Sequence, residues 1–305
     1  MSAKKFSKNT KTKKFFKSKS SSYANWVKDS SIGKTLSYRS IFKYPLSFYQ
    51  LSTTLISSEK VTYKKLKKEL DEAVSKNKVR FKDGLYYLPN TGVVSWETRA
   101  KNAEKLLKNV EPAFKAIEKI PWIKLLAVTG SVAAYNATEQ DDIDVFIVTK
   151  KNRLWLSRFF VVLLLKAFDM YRTDKAPAGK VCPNIFIDDL NLKWKEKGRN
   201  LYVAHEIILM RPIIDRDNTY FKFMRANSWV MEHFGNFSIS IPTRFTSSKD
   251  TTSGTLNLLE DFLRKFQLWY MKSSQTNEVT TKHMIHFNKN DNTDMVLTTY
   301  NKILD

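Results

Sequence analysis

Four residues near the middle of the chain have types and spacing suited to phosphate and metal chemistry. Gly130 and Ser131 form a Gly-Ser pair, and Asp142 and Asp144 alternate at the start of an apolar, β-type segment. Alternate residues of a strand project from the same face, so the two carboxylates should lie side by side. Such a pair is costly to hold ionised unless a divalent cation lies between its members. The spacing therefore predicts that Asp142 and Asp144 bind Mg²⁺ or Mn²⁺.

The Gly-Ser turn adds groups that bind phosphate. Its backbone N–H groups and the Ser131 hydroxyl are donors of the kind that cradle phosphate oxygens. Mg²⁺ is commonly held by one or two carboxylates together with substrate phosphates. Together these residues indicate nucleotidyl transfer. Asp141 precedes the pair and should point to the opposite face, which predicts a turn residue.

The motif as a whole resembles that of the DNA polymerase beta-type nucleotidyltransferase superfamily. An apolar residue, Gly-Ser, a gap of ten residues and Asp-Ile-Asp follow one another, with β-type segments at Leu125–Thr129 and Val145–Thr149. Members of that superfamily include poly(A) and CCA-adding polymerases and antibiotic adenylyltransferases. The resemblance implies that Gly130 and Ser131 contact the triphosphate. It also implies that Asp142 and Asp144 ligate the metal ions.

The resemblance further implies a third carboxylate on a later strand, where it serves as general base or shared metal ligand. Asp188 ends the β-type segment Val181–Leu190 and is the candidate catalytic acid. Position 182, an equally plausible place for an acid, is Cys182. The absence of this third group would indicate a weak or degenerate enzyme.

Two basic residues beyond the aspartates are candidate nucleotide contacts. Arg153 and Arg158 stand at the start of a predicted helix, Leu154–Met170, and could face the triphosphate or an acidic acceptor. The alternative is that they solvate the start of the helix. We predict that both residues bind the nucleotide.

The charge of the chain favours a polyanionic partner. The 305 residues carry a net charge of +22, and residues 1–22 contain eight lysines and no acid. This composition predicts a disordered basic tail over residues 1–24. Without the eight lysines the remainder still carries +14. Lys and Arg gain affinity for phosphates by releasing counterions, which predicts RNA or another nucleic acid as partner. The alternative is a proteome in which every protein is lysine-rich.

Cysteine content and hydropathy suggest a cytoplasmic protein. Cys182 is the single cysteine, which excludes an intramolecular disulfide and a multi-cysteine zinc site. The longest apolar run, Phe159–Leu165, is far too short to cross a bilayer. The amino-terminal residues lack the apolar core of a signal peptide. We therefore expect no membrane partner. The sequence does not determine the oligomeric state.

The order of predicted elements indicates an α+β protein. The predicted core is a nucleotidyltransferase fold, a mixed sheet with flanking helices, over residues 95–237. A winged-helix-like module is predicted over residues 25–94, because a short helix at Leu46–Leu55, a helix capped by Thr62 and a hairpin at Asp83-Gly84 follow one another. A linker over residues 238–255 and a C-terminal helical region over residues 256–305 complete the chain.

Two predictions in the carboxyl-terminal half concern helices. Residues 200–236 should be helical on both sides of a turn at Pro212–Asn218. Leu256–Met271 should be an amphipathic helix whose apolar stripe packs inward; the stripe consists of Leu259, Phe262, Phe266 and Trp269. His283 and His286 are three apart and could meet on a helix, but no third ligand stands near them for zinc.

Two functions are consistent with these features. The first is a Mg²⁺-dependent enzyme that transfers a nucleoside monophosphate from an NTP to an acceptor hydroxyl, with an RNA or tRNA 3′ end as the leading acceptor. The alternative is a non-catalytic nucleic-acid-binding regulator with a degenerate transferase fold.

Overall fold

The computed structural model describes residues 22–89, 91–244, 254–272, 279–286 and 292–305. These form two compact units. The first contains the described residues up to Val94, together with Phe234–Asn236 and Met295–Asp305. The second contains Ser95–His233 and the described part of Phe237–Asp294. Most of the predicted basic tail and half of the predicted linker lie outside the described residues.

The first unit combines short helices with a small antiparallel sheet of order β1-β3-β2. The helices are 22–29 (α1), Ser31–Ile41 (α2), Phe48–Thr53 (α3), Tyr63–Ser75 (α4) and most of Thr293–Leu304 (α11). The strands are Leu46–Ser47 (β1), Arg80–Lys82 (β2) and Leu85–Tyr87 (β3). Residues 22–24, predicted as part of the tail, belong to α1.

Local signals place the middle of this unit correctly. Thr62 caps α4 by accepting the Lys65 N–H at 3.3 Å. Asp83 and Gly84 both have positive φ, +52° and +78°, as a tight two-residue hairpin turn requires. The predicted helix and hairpin are therefore confirmed. The helix predicted from Leu46 begins two residues later, because β1 pairs with β3 first. The winged-helix interpretation stays a prediction.

The second unit is built on a six-stranded mixed sheet of order β7-β4-β5-β6-β9-β8. Its strands are Ile123–Val128 (β4), Ile143–Thr149 (β5), Val181–Asp188 (β6), Arg211–Asp215 (β7), Val279–Thr280 (β8) and Met284–His286 (β9). Its helices are Trp96–Glu118 (α5), Gly130–Ala133 (α6), Leu154–Ala167 (α7), Leu201–Leu209 (α8), Thr219–Ala226 (α9) and Gly254–Met271 (α10). Neighbouring strands are antiparallel except β5 and β6, which are parallel and joined through α7. The predicted α+β class with a mixed sheet is confirmed.

Three strands of this sheet were not predicted. β7 lies where a turn was expected, because Pro212 argues against a strand in sequence. Proline is tolerated here because β7 is an edge strand, which need not donate every ladder hydrogen bond. β8 and β9 lie in the region predicted as helical, and β9 pairs with β6. His283 and His286 therefore lie in or beside a strand, and the prediction that they could meet on a helix is wrong.

Each unit has its own hydrophobic core. In the second unit the apolar residues of α5 recur at a spacing of three and four, and this face packs against the sheet; it includes Ala103, Val110, Phe114 and Ile117. In the first unit Leu66 and Leu70 of α4 pack into a separate cluster. Among the residues that the structure describes, no helix combines the length and apolarity needed to cross a bilayer.

Helix α10 packs on α7 through polar groups. The N–H groups of Trp155 and Leu156 donate to the two carboxylate oxygens of Glu260, at 2.8 and 2.9 Å. Gln267 accepts from Arg158 at 2.6 Å and donates to the Trp155 carbonyl at 2.8 Å. The residues predicted to pack inward are exposed instead, among them Phe262 and Trp269. The prediction that the stripe forms a core is therefore wrong.

Replacing Glu260 by Ala should lower the free energy of unfolding by about 2–3 kcal/mol, because two buried N–H groups at the start of α7 lose their acceptors. The measurement is equilibrium urea unfolding. Asp261→Ala is the matched control, since Asp261 is the exposed neighbour and should cost less than about 0.5 kcal/mol. Equal losses in the two variants would contradict this account of the α7–α10 contact.

Candidate active site

The sheet brings the predicted motif residues together at one of its ends. β4 ends at Val128, which pairs with Val145, and the chain then turns through α6 before entering β5. In the parallel pair, Asp144 stands opposite Cys182 at the start of β6. The Gly-Ser turn, the two aspartates and the first residues of β6 are therefore neighbours.

The two predicted metal ligands lie side by side with the only cysteine. One ligand atom each from Asp142, Asp144 and Cys182 lies within 4.8 Å of the other two. Arg172 forms an ion pair with Asp142, with Nε 2.8 Å from Oδ2. Asn184 donates its side-chain amide to Oδ1 of Asp144. This arrangement agrees with the expectation from strand alternation.

Gly130 is required by the close approach of Asp144. Its φ is +66°, a conformation that strains residues with a side chain. A Cβ atom at this position would stand 2.9 Å from Oδ2 of Asp144. The Gly130 N–H donates to Oε2 of Glu206, on α8, at 3.0 Å. A donor that was predicted to face phosphate is thus held by a carboxylate.

Ser131 and Asp141 stabilise the connection between the motif residues. The Ser131 hydroxyl donates to Asp141 at 2.7 Å, and Asp141 also accepts from the Thr138 hydroxyl at 2.5 Å and the Thr138 N–H at 3.2 Å. Asp141 is therefore the turn residue that its position predicted. The hydroxyl of Ser131 serves this turn in the structure, whereas the sequence predicted that it binds phosphate.

Negative charge accumulates around Asp144. Burial, followed by the nearby charges of Asp142 and Glu206, raises the pKa of Asp144 to about 7, although Arg172 and Asn184 act in the opposite direction. Three carboxylates thus lie close together, and the Arg172 guanidinium pairs with that of Asp142. A divalent cation at this position would relieve the repulsion and keep Asp144 ionised.

The thiol on β6 behaves differently from a carboxylate. Burial and the charges of Asp144 and Asp142 raise the pKa of Cys182 to about 12. The protonated thiol donates to the side-chain oxygen of Asn184 at 2.9 Å. Cys182 therefore adds no negative charge to the cluster at neutral pH. The hard donors are the carboxylate oxygens, which suit Mg²⁺ or Mn²⁺.

Asp188, predicted as the third catalytic acid, lies away from this site. It pairs with Thr149, five residues along β5 from Asp144, which corresponds to about 17 Å. Its carboxylate is fully buried, accepts from Asn191 at 2.8 Å and contacts His283 at 2.6 Å. Asp188 and Cys182 lie on the same face of β6, but the length of the strand separates them. The structure therefore does not bring Asp188 together with Asp142 and Asp144.

The predicted nucleotide contacts of Arg153 and Arg158 are not supported. α7 begins at the end of β5 that is remote from Asp144, so Arg153 is placed there. Both side chains are buried, and they donate to Asn257 and Gln267 of α10 at 2.7 and 2.6 Å. The two arginines hold α10 against α7, which was not foreseen because this contact is distant in sequence.

Three residues of the site were missed as functional candidates. They are Arg172, Asn184 and Glu206. Each reaches the site through tertiary packing, so no local spacing identifies it. A detectable signal exists only for Asn184, which follows Cys182 by two residues on the same strand.

Asp144→Asn should flatten part of the pH dependence of stability. The folded pKa of Asp144, about 7, lies above its ordinary value of 3.8, so the folded protein binds more protons between these values. The wild-type free energy of unfolding should therefore fall as pH rises from 4 to 7. At pH 8 Asp144→Asn should be more stable than wild type by about 2 kcal/mol, after allowance for solvent screening.

The measurement is urea unfolding at several pH values with EDTA, then with Mg²⁺. Mg²⁺ should stabilise the wild type at pH 8 and leave Asp144→Asn nearly unchanged. Glu139→Gln is the control at an exposed acid and should keep the wild-type slope. Equal stability of wild type and Asp144→Asn at pH 8 would show that the ionised Asp144 carboxylate does not destabilise the folded protein.

No protein-family model and no curated protein matches the chain.

Proposed function

We propose that this protein is a divalent-cation-dependent nucleotidyltransferase of the DNA polymerase beta type. It transfers a nucleoside monophosphate from an NTP to an acceptor hydroxyl, and an RNA or tRNA 3′ end is the acceptor we favour. The observation that carries the proposal is the convergence of Asp142, Asp144 and Gly130 at one end of a mixed sheet. A pair of carboxylates can bind a cation, and the glycine beside it leaves room for a phosphate.

The donor set fits a hard cation. Oxygen atoms of Asp142 and Asp144 would hold Mg²⁺ or Mn²⁺, and burial together with the charges of Asp142 and Glu206 raises the pKa of Asp144, as expected where a cation would stabilise the carboxylate. The bound ion would polarise phosphoryl oxygen and neutralise charge on the leaving pyrophosphate. Hard cations such as these prefer the carboxylate oxygens to the Cys182 thiol.

The chain itself would orient the nucleotide. Gly130 has no side chain, so a phosphate can approach its backbone next to Asp144. Its N–H is held by Glu206, and a phosphate oxygen would replace this carboxylate. Arg172 pairs with Asp142 in the structure. If a cation binds Asp142, the Arg172 guanidinium is released and can bind the triphosphate.

The positive charge of the chain supports an RNA acceptor. The net charge of +22 provides the counterion-release term that dominates binding to phosphate backbones. In the first unit, α4 exposes several lysines, although Lys65 and Lys67 pair with Glu69 and Asp71 on the same helix. This helix and the hairpin β2–β3 form the winged-helix-like module that we propose as the nucleic-acid contact.

The main test is incorporation of radiolabelled NTP into RNA with Mg²⁺ or Mn²⁺. Asp142→Asn and Asp144→Asn should each reduce incorporation by at least about 100-fold, because each loses a cation-binding charge. Asp188→Asn is the control, since it keeps the buried contacts of that residue and should retain activity within about threefold. Absence of incorporation from all four NTPs by the wild type would contradict the proposal.

The second candidate is a non-catalytic nucleic-acid-binding regulator with a degenerate transferase fold. A specific observation favours it: the β6 residue opposite Asp144 is Cys182, a thiol with a pKa of about 12, where a carboxylate is expected. This protein would bind RNA with strong salt dependence and incorporate nothing. Its RNA affinity would be unaffected by Asp142→Asn.

Cys182→Asp distinguishes a weak enzyme from a regulator. A carboxylate at this position would supply the missing general base or ligand, so we expect incorporation to rise by about tenfold or more. Cys182→Ser is the matched control and should leave the rate unchanged. A loss of activity in Cys182→Asp with an unchanged melting temperature would show that the thiol position is not the place of the third acid.

A further inference from the structure

Helix α10 presents an aromatic stripe to solvent. Its members are Leu258, Leu259, Phe262, Phe266, Trp269 and Tyr270. Phe262 is 63% exposed, Trp269 is 73% exposed and Tyr270 is 66% exposed. Phe266 stacks on Phe262 with ring centroids 6.5 Å apart and contacts Trp269 at 6.2 Å. We refer to these six side chains as the α10 stripe.

The outward direction of the stripe is fixed by the opposite face of the helix. Glu260 and Gln267 are buried there and hydrogen-bond to the backbone of α7, and Asn257 accepts from the buried Arg153. Rotating α10 to bury the stripe would break these bonds and leave buried polar groups without partners, at a cost of about 1–3 kcal/mol each. The exposure is therefore built into the α7–α10 contact.

The stripe is larger than the apolar patch of an ordinary monomer. From the exposed fractions of its six side chains we estimate about 700 Å² of mostly apolar surface, above the 300–600 Å² typical of the largest patch on a monomer. It approaches the roughly 800 Å² that each partner contributes to a stable protein–protein interface. The exposed area of the stripe is therefore close to the area that one partner buries in a stable interface.

We infer that the α10 stripe is a self-association surface, on which a second copy of this chain packs its own α10. The line Leu258, Phe262, Phe266, Trp269 advances by four, four and three residues, the spacing of a helix–helix seam. It is apolar at both ends and extends about 18 Å from Leu258 to Tyr270. A two-fold axis between Phe262 and Phe266 would place each stripe antiparallel on its copy.

Two exposed lysines beside the stripe are too few cations to favour a polyanion over a second copy. Asp261 pairs with Arg264 at 3.6 Å, so these two neighbouring charges cancel. Lys265 and Lys272 are exposed beside Phe262 and Trp269, and long lysine side chains extend their ammonium groups past the rim of an apolar contact. A single-stranded nucleic acid or an anionic lipid surface is bound through a series of cations along the aromatic contacts.

The test is the mass of the full chain, measured by sedimentation equilibrium at micromolar concentration. Wild type should have twice the 35.6 kDa mass of one chain. Phe262→Glu with Trp269→Glu should weaken dimerisation by at least about 100-fold and give the single-chain mass, because charges would be buried without partners. Leu190→Glu, at an exposed leucine outside the stripe, is the control and should remain dimeric.

Salt dependence separates the possible occupants. Two chains of charge +22 repel, so added salt should tighten an apolar dimer, whereas binding of RNA or anionic lipid weakens with salt. A single-chain mass for the wild type, or a dimer that persists in the double variant with an unchanged melting temperature, would overturn the inference. So would a monomer that binds oligouridylate or phosphatidylserine vesicles only when the stripe is intact. None of these results depends on transferase activity.

Discussion

The crowding of carboxylates at one end of the second unit's sheet is the constraint on which its candidate site depends. Backbone pairing of β5 with β4 and β6 fixes the start of β5, so Asp142 and Asp144 cannot move apart. Glu206 adds a third negative charge, and the Arg172 guanidinium pairs with Asp142. The chain as a whole has a net charge of +22, whereas the charge of this group of acids is negative. A net positive charge favours contact with polyanions, whereas a group of carboxylates disfavours it unless a cation is bound.

The same crowding explains the local backbone. Position 130, two residues after β4, favours a residue without Cβ, because Oδ2 of Asp144 lies where the side chain would be. The connection from Gly130 to β5 is then held by Asp141, which accepts three hydrogen bonds from Ser131 and Thr138. The three aspartates of this segment therefore have different roles. Asp141 shapes the turn, whereas Asp142 and Asp144 form the pair that we propose as the cation site.

Sequence alone predicts the parts of this site that are local. Gly130, Asp142 and Asp144 are joined by one turn, so strand periodicity suffices to place them together. The predicted α4, its hairpin and the buried face of α5 also follow from short-range patterns. Asp188 and Arg153 were misplaced because strand alternation and helix starts do not show which end of the sheet a residue occupies. Arg172, Asn184 and Glu206 reach the site through packing that no local pattern encodes.

Helix α10 shows why an apolar stripe is insufficient to identify a core. Hydrophobic burial is non-directional and would favour either face of this helix. Hydrogen bonds are directional. The N–H groups at the start of α7 have no acceptor within the helix and donate to Glu260 instead. Satisfying these donors decides the rotation of α10, and the aromatic side chains are left outside. The hydrogen bonds of a few buried polar groups thus determine which face of α10 is exposed. In the dimer that we propose, the α10 stripe of a second copy covers this apolar face, and no further polar group is needed.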